Sequence, residues 1–372
     1  MPELPEIVAH AERLSAAFVG IALKRFEPLH PAALKTFDPR PAAAAGEPLV
    51  SVGHRGKYLL LRFGRGDPAA REGGGGRGDT AGQGDPALRA KASEDAAVGD
   101  DGECNVGDDD AAVVGDGGDG GDGGDGECNV GGEAVVVGAG GDEGDGGDGA
   151  DDDRRRDPSL VFVVHLMQAG RLRGDAAQAP KPRGGMARWS FEDSSALLLT
   201  EAGKERRAGV WLISGDPDES EPLARLGPDA DAIDRDDLAR RLSAASERVH
   251  GFLRDQSHLA GIGRLLANEI LHSARISPFT NASRLDDEAV DRLHEAIRTS
   301  IERGLAAERQ LQDMGRSKNR PNDVHHRVGR QCPNCDDTVR AVEYRRYRVA
   351  YCPTCQTGGK VLADNTTSRF LK

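Results

Sequence analysis

Aromatic side chains are scarce in this chain of 372 residues: nine Phe, four Tyr and two Trp make up 4% of it. No uncharged stretch approaches the roughly 18 apolar residues that a membrane span needs. The opening MPELPEIVAHAERL also lacks the apolar core of a secretory signal. Both absences lead to the expectation of a cytoplasmic protein without membrane association. In that reducing compartment the six cysteines read as metal ligands or free thiols, not as a disulfide framework.

A surplus of basic charge is missing as well. The formal net charge of -13, taken alone, argues against a nucleic-acid partner, because phosphate recognition needs a basic face. The charge is unevenly placed, however. Residues 66–157 hold 26 Asp plus Glu against 7 Lys plus Arg, a local net of -19, so the remainder of the chain stands at +6. The same stretch has no Phe, Tyr or Trp, is dominated by Gly, Asp and Ala, and repeats GECNVG at 102–107 and 126–131. Such a composition buries too little apolar surface to offset its ordering entropy. We read 66–157 as an acidic disordered insertion.

What remains has a clear order. Residues 1 to about 20 have helical spacing, with Ile7, Val8, Leu14, Phe18 and Val19 available for a buried face. Strand-like runs follow at Leu49–Val52 and Lys57–Phe63, and resume past the insertion at Leu160–Met167, Arg188–Phe191, Ala196–Thr200 and Gly209–Ile213. This pattern predicts one β-rich domain split by a long loop, which is tolerable because closure entropy grows only logarithmically with loop length. From Ala232 the periodicity turns helical, over Leu238–Val249, Ala260–Ser273 with its glycines Gly261 and Gly263, and Asp286–Leu305. A loop over Asp313–Asp323 then leads to a compact cysteine-rich hairpin.

Cys332, Cys335, Cys352 and Cys355 form a C-x2-C-x16-C-x2-C array. Two such knuckles joined by a hairpin grip one tetrahedral ion, so we expect one structural Zn2+, with a CxxC redox pair as the alternative. Four thiolates leave no open coordination position for chemistry. The intervening RAVEYRRYR carries arginines suited to phosphate or groove contact.

Pro2 follows Met1 directly. A small second residue permits removal of the initiator methionine, which leaves a secondary amine at the chain end. An α-amino group has a pKa near ~8, so much of it is unprotonated and nucleophilic at neutral pH. In PELPE a carboxylic acid, Glu3, stands beside that amine, and HRGKYLLL places Lys57 at the start of a strand. Nucleophile, acid and cation are the groups needed to cleave a glycosidic bond and then eliminate phosphate.

PELPE at the start, RGKYLLL near position 57, AGIGRLLANEIL followed by ISPF, and the four-cysteine finger at the end occur in the order of the formamidopyrimidine-DNA glycosylase and endonuclease VIII family. The chain resembles that family over essentially its whole length apart from the insertion. The resemblance implies an α+β fold: an N-terminal β-sandwich flanked by helices (1–65 and 158–228), an α-helical helix-two-turns-helix domain (229–323) and a C-terminal zinc-finger β-hairpin (324–372). It implies a bifunctional glycosylase and abasic-site lyase of base excision repair. A non-catalytic zinc-containing binder of damaged DNA with the same fold is the alternative.

By the same resemblance Pro2 is the nucleophile, Glu3 the acid that assists opening of the deoxyribose ring, and Lys57 a contact to the phosphate near the lesion. Gly261, Gly263 and Arg264 fall in the phosphate-holding turn, where Arg264 replaces the asparagine often found after the second glycine, and Glu269 is expected to support that turn. Extruding a base needs side chains to fill the gap. Gln168 stands where methionine is usual, Ala208 where an aromatic is usual, and Arg206 is the candidate for the orphaned opposite base. In the finger, Arg346 and Arg348 flank Tyr347 at the position of the family's inserted arginine, and either fits. The implied partner is double-stranded DNA with damaged bases or abasic sites, met by a cytoplasmic, nucleoid-associated monomer. The lesion preference stays open between oxidised purines and oxidised pyrimidines.

Overall fold

In the first helix of the chain, Ile7, Ala11, Leu14 and Phe18 recur every three to four residues and so line one face. The computed structural model of the chain places this helix, α1, at Leu4–Phe18 and buries that stripe. The structure describes residues 1–64, 159–203, 205–315, 319–344 and 347–362. The acidic insertion expected at 66–157, with Cys104 and Cys128, and the finger's Arg346 lie outside the described residues. The chain divides into two units, 1–99 with 158–372, and 100–157, and everything described belongs to the first.

Among the described residues eight strands follow α1 ahead of the helical half: β1 (Leu23–Pro28), β2 (Leu49–Arg55), β3 (Tyr58–Phe63), β4 (Leu160–His165), β5 (Gly170–Gly174), β6 (Gly185–Phe191), β7 (Ala196–Glu201) and β8 (Gly209–Ser214). They form two four-stranded antiparallel sheets, ordered β1-β6-β7-β5 and β2-β3-β4-β8. Alternation sorts the faces. Leu59, Leu61 and Phe63 of β3 join the core between the sheets with Trp189, Leu197 and Leu199. Leu60 instead packs on the outer face with Val161, Val163 and Ile213. The Phe26 ring lies tilted against Phe162 and edge-on to Trp189, with ring centroids 5.0 Å apart in each case, and so fastens one sheet to the other.

The two strands absent from the expected set, β1 and β5, are the two edges of one sheet. Their sequences, LKRFEP and GRLRG, carry few apolar residues because an edge strand is half solvated and is protected by charge and proline.

The second half comprises α2 (Arg235–Ala244), α3 (Val249–Arg254), α4 (Arg264–Ser273) and α5 (Asp287–Arg309). Asp234 and Asp286 cap α2 and α5 by accepting from Asp237 N and Ala289 N at 2.7 and 2.8 Å. The single helix expected over Leu238–Val249 is broken. Ala245 and Arg248 are extended, Arg248 bridges Asn281, and Ala282 N donates to Glu247 O at 3.0 Å, so pairing with a distant segment outweighs local helical periodicity. Likewise α4 begins at Arg264, not Ala260, with Gly263 extended as its N-cap.

Beyond α5 the described residues form the hairpin β9 (Arg340–Tyr344) and β10 (Tyr347–Tyr351) with the short helix α6 (Pro353–Thr357). Cys332 and Cys352 are buried there among Val324, Val339 and Ala350. The helix α1 links the two large cores, since Leu4 belongs to the helical one and Ile7 to the sandwich. Among the described residues no helix is long and apolar enough to cross a membrane.

Candidate active site and metal centre

The chain start packs on the glycine turn that precedes α4. Pro2 and Glu3 are buried, and Leu4 N donates to Gly261 O at 3.0 Å. The approach is close enough to require glycine on the other side. Gly261 has φ +102°, and a Cβ there would sit 2.9 Å from Leu4 Cβ. At Gly263 a Cβ would fall 2.1 Å from Glu3 Oε1.

Glu3 uses the space that Gly263 leaves. Its Oε1 accepts from Leu265 N at 3.0 Å and its Oε2 from Leu266 N at 2.9 Å. These are orphan donors of the first turn of α4, where the helix dipole also favours a negative charge. Gln256 braces the same turn, donating to Ile262 O at 2.9 Å and accepting from Gly261 N at 3.0 Å. Behind Glu3 lies a buried cluster. Glu6 accepts from Glu3 N at 3.0 Å and from Arg320 Nη1 at 2.7 Å, and the same guanidinium nitrogen is 3.6 Å from Glu3 Oε2. Burial pushes the Glu6 carboxyl up to about 7 against the pull of Arg320. For Arg320 burial works against charge, but Glu6 and Glu3 outweigh it and hold the guanidinium protonated.

Lys57 is buried in the turn between β2 and β3. That turn is pinned from the helical side, where Asp229 Oδ1 accepts from Gly56 N at 2.8 Å and Arg55 Nη1 at 2.6 Å. Gly56, at φ +54°, would meet Ala260 Cβ at 3.0 Å if it carried a side chain. The His165 imidazole is pushed down to about 4 by burial, and then by the positive fields of Lys57 and of the Met1 amine.

Sheet register sets the rest of the rim. His165 of β4 pairs with Tyr58 of β3 on one side and with Gly209 of β8 on the other. The residues just beyond each, Lys57, the 166–169 turn with exposed Gln168, and half-buried Arg206, therefore share one end of that sheet. Ala208 stands at the position where an aromatic is usual. It is fully buried in the sandwich core, and Glu201 Oε2 accepts from its N at 2.7 Å and from Arg207 N at 2.6 Å.

Arg264 is half-buried as the first residue of α4. Glu269 does not brace the glycine turn; it accepts from Asp323 N, Val324 N and His325 N at 2.6, 3.1 and 2.8 Å and so shapes the approach to the finger. Arg348 is exposed on the hairpin and pairs with Glu343 at 3.2 Å. Arg320, His165 and Asp229 are the site residues that sequence reasoning missed.

All four finger cysteines are free thiols that converge on one point. Sγ atoms of Cys332 and Cys355 are 3.9 Å apart, and Cys335 lies 3.3 Å from both Cys352 and Cys355. A tetrahedral ion with Zn–S bonds of ~2.3 Å needs ligand separations of about 3.8 Å. The cluster is thus compatible with a structural zinc, and it uses four sulfurs where a redox pair would use two.

Residues 1–91 match the model of the formamidopyrimidine-DNA glycosylase N-terminal domain, and residues 225–314 match that of its H2TH domain. An uncharacterized formamidopyrimidine-DNA glycosylase-like protein of Mycobacterium tuberculosis is 44% identical over 155 residues, which cover 40% of this chain and 94% of that protein. The formamidopyrimidine-DNA glycosylase of Pelotomaculum thermopropionicum is 31% identical over 205 residues, 52% of this chain and 74% of its own length. Among solved structures, the complex of Lactococcus lactis Fpg with DNA containing an abasic site superposes with a TM-score of 0.62 at 17% identity. It covers 95% of this chain and 99% of that one, a likeness of fold.

Proposed function

Because the chain belongs to the formamidopyrimidine-DNA glycosylase family, we propose that it is a bifunctional DNA glycosylase and abasic-site lyase of base excision repair. Removal of Met1 exposes the secondary amine of Pro2. The amine nitrogen attacks C1′ of the damaged nucleotide and the bond from C1′ to the base breaks, the base taking a proton from water; the amine's own proton passes to O4′ as the C1′–O4′ bond breaks, which leaves an iminium between the Pro2 nitrogen and C1′. The resulting iminium acidifies C2′. Loss of that proton expels the 3′ phosphate, and a second elimination would expel the 5′ phosphate.

Glu3 is the group placed to deliver a proton to the ring oxygen as the sugar opens, its oxygens aimed by the first turn of α4. Lys57 holds a phosphate beside the same point. Arg264 and the backbone around Gly261 and Gly263 take flanking phosphates, while Gln168 and Arg206 face the gap left by the extruded base. We assign groove contact to the finger arginines Arg346 and Arg348. A zinc ion held by Cys332, Cys335, Cys352 and Cys355 would fix the shape of the finger and take no part in the reaction. We further assign the sandwich to 1–65 with 158–228, the helical domain to 229–323 and the finger to 324–372, acting as a cytoplasmic monomer.

The observation that supports this reading is the burial of Pro2 and Glu3 at the glycine turn, where Leu4 N donates to Gly261 O and the Glu3 carboxylate accepts from Leu265 N and Leu266 N. Borohydride reduction during reaction with an abasic duplex should trap a covalent protein–DNA adduct. A protein that binds such duplexes but never forms the adduct would be the non-catalytic binder instead. A panel of oxidised-purine and oxidised-pyrimidine duplexes then assigns the lesion.

A further inference from the structure

The cysteine cluster of the finger is not closed on itself. His272, in the last turn of α4 and 1% exposed, directs Nε2 at Cys332 Sγ across 3.3 Å. Its ligand atom and those of Cys332, Cys352 and Cys355 all lie within 4.8 Å of one another. The other ring nitrogen, Nδ1, is buried without a hydrogen-bond partner. One tautomer satisfies this arrangement best: a metal-bound thiolate can only accept, so the proton sits on Nε2, and Nδ1 is left as a bare lone pair instead of an unpaired N–H.

The second knuckle is tied to the same segment. Gln356 accepts from Cys352 N and donates to Ile276 O, both at 2.9 Å. Each CxxC unit thus has one bond that bears on α4 or the turn just after it. The far end of α4 is the turn whose N–H groups hold Glu3.

We propose that His272 is a positioning residue of the metal centre, donating Nε2–H to the Cys332 thiolate and fastening the loaded finger to the helix that aims Glu3. The hydrogen bond draws charge from the sulfur, lowers its reactivity and fixes its direction toward the ion. The inference rests on the zinc reading of the four cysteines and not on the glycosylase reading.

The test uses full-length holoprotein with His272→Phe, which fills the space without a donor, and His272→Gln, which keeps an N–H. Competition with a chromogenic chelator reads zinc affinity, and cobalt substitution reads the thiolate-to-metal absorption band. His272→Phe should bind zinc ~10- to 100-fold more weakly, the usual penalty for losing such an outer partner. It should also shift the cobalt band, whereas His272→Gln stays near wild type in both. A shifted band is the readout that mere loss of packing does not produce. Unchanged affinity and spectrum in His272→Phe would overturn the proposal. So would full zinc retention by Cys335→Ser that is lost on adding His272→Phe, because His272 would then be a ligand itself. Wild-type protein that takes up no zinc would remove the metal reading, and this inference with it, while leaving the adduct experiment untouched.

Discussion

Gly263→Ala adds a single methyl group at the point where the chain start meets α4, and the structure sets what that methyl does. Its Cβ would lie 2.1 Å from Glu3 Oε1 and 2.7 Å from Glu3 Cδ, well inside any tolerated contact. The carboxylate has to retreat by about 1 Å, and a displacement of that size at reacting groups costs roughly 100-fold in rate. Retreat also stretches the two hydrogen bonds to Leu265 N and Leu266 N. Charge-assisted bonds of this kind contribute ~1.5–3 kcal/mol each, so the melting temperature should fall while the fold survives. Gly53→Ala is the matched control, because a Cβ there meets nothing within 4 Å. Single-turnover cleavage of an abasic duplex, with melting followed in parallel, measures both effects. Gly263→Ala protein that cleaves at the wild-type rate would refute the placement of Glu3.

Lys57→Met should lower cleavage ~100-fold, in the range of a lost proton-transfer or charge-stabilising group. It should also raise the His165 titration seen by NMR, since the Lys57 field helps to hold that imidazole down near 4; an unmoved His165 would separate the two residues. His10 and His250 are pushed down to about 4 and about 3, burial being the leading cause in both. Folded values below the unfolded one mean that stability is complete above pH ~6.5 and is lost on acidification, by roughly 2 kcal/mol per histidine at pH 5. Glu6, raised to about 7, runs the opposite way and recovers part of this loss. Rings of His10 and His250 that titrate near 6.5 in the folded protein would contradict the assignment. DNA affinity should fall steeply with salt, and Arg264→Ala should flatten the slope of log affinity against log salt by ~1; an unchanged slope would take Arg264 off the phosphates.

The features legible in the sequence were those carried by local spacing. The knuckles of Cys332, Cys335, Cys352 and Cys355, the PELPE start and the paired glycines each announce themselves within a few residues. Alternation found the inner strands but not β1 or β5, because edge strands such as LKRFEP trade apolar residues for charge. Periodicity carried a helix through Ala245–Arg248, where pairing with Asn281 and Ala282 breaks it. Arg320 was hidden for a different reason. It sits in an irregular loop, and its partners Glu3 and Glu6 are more than 300 positions away, so only the folded chain brings them together. Asp229 is similar, holding the Lys57 turn across two domains through Gly56 N.

The account stands on a secondary amine at residue 2 that bonds to sugar carbon. Reduction of the reacting complex with borohydride, digestion, and mass analysis of the DNA-linked peptide locates the bond directly. The account predicts a peptide that begins at Pro2, without Met1, and carries the sugar remnant on its α-nitrogen. A remnant found on Lys57 or any other lysine, or a chain start that keeps Met1 in active protein, would contradict it.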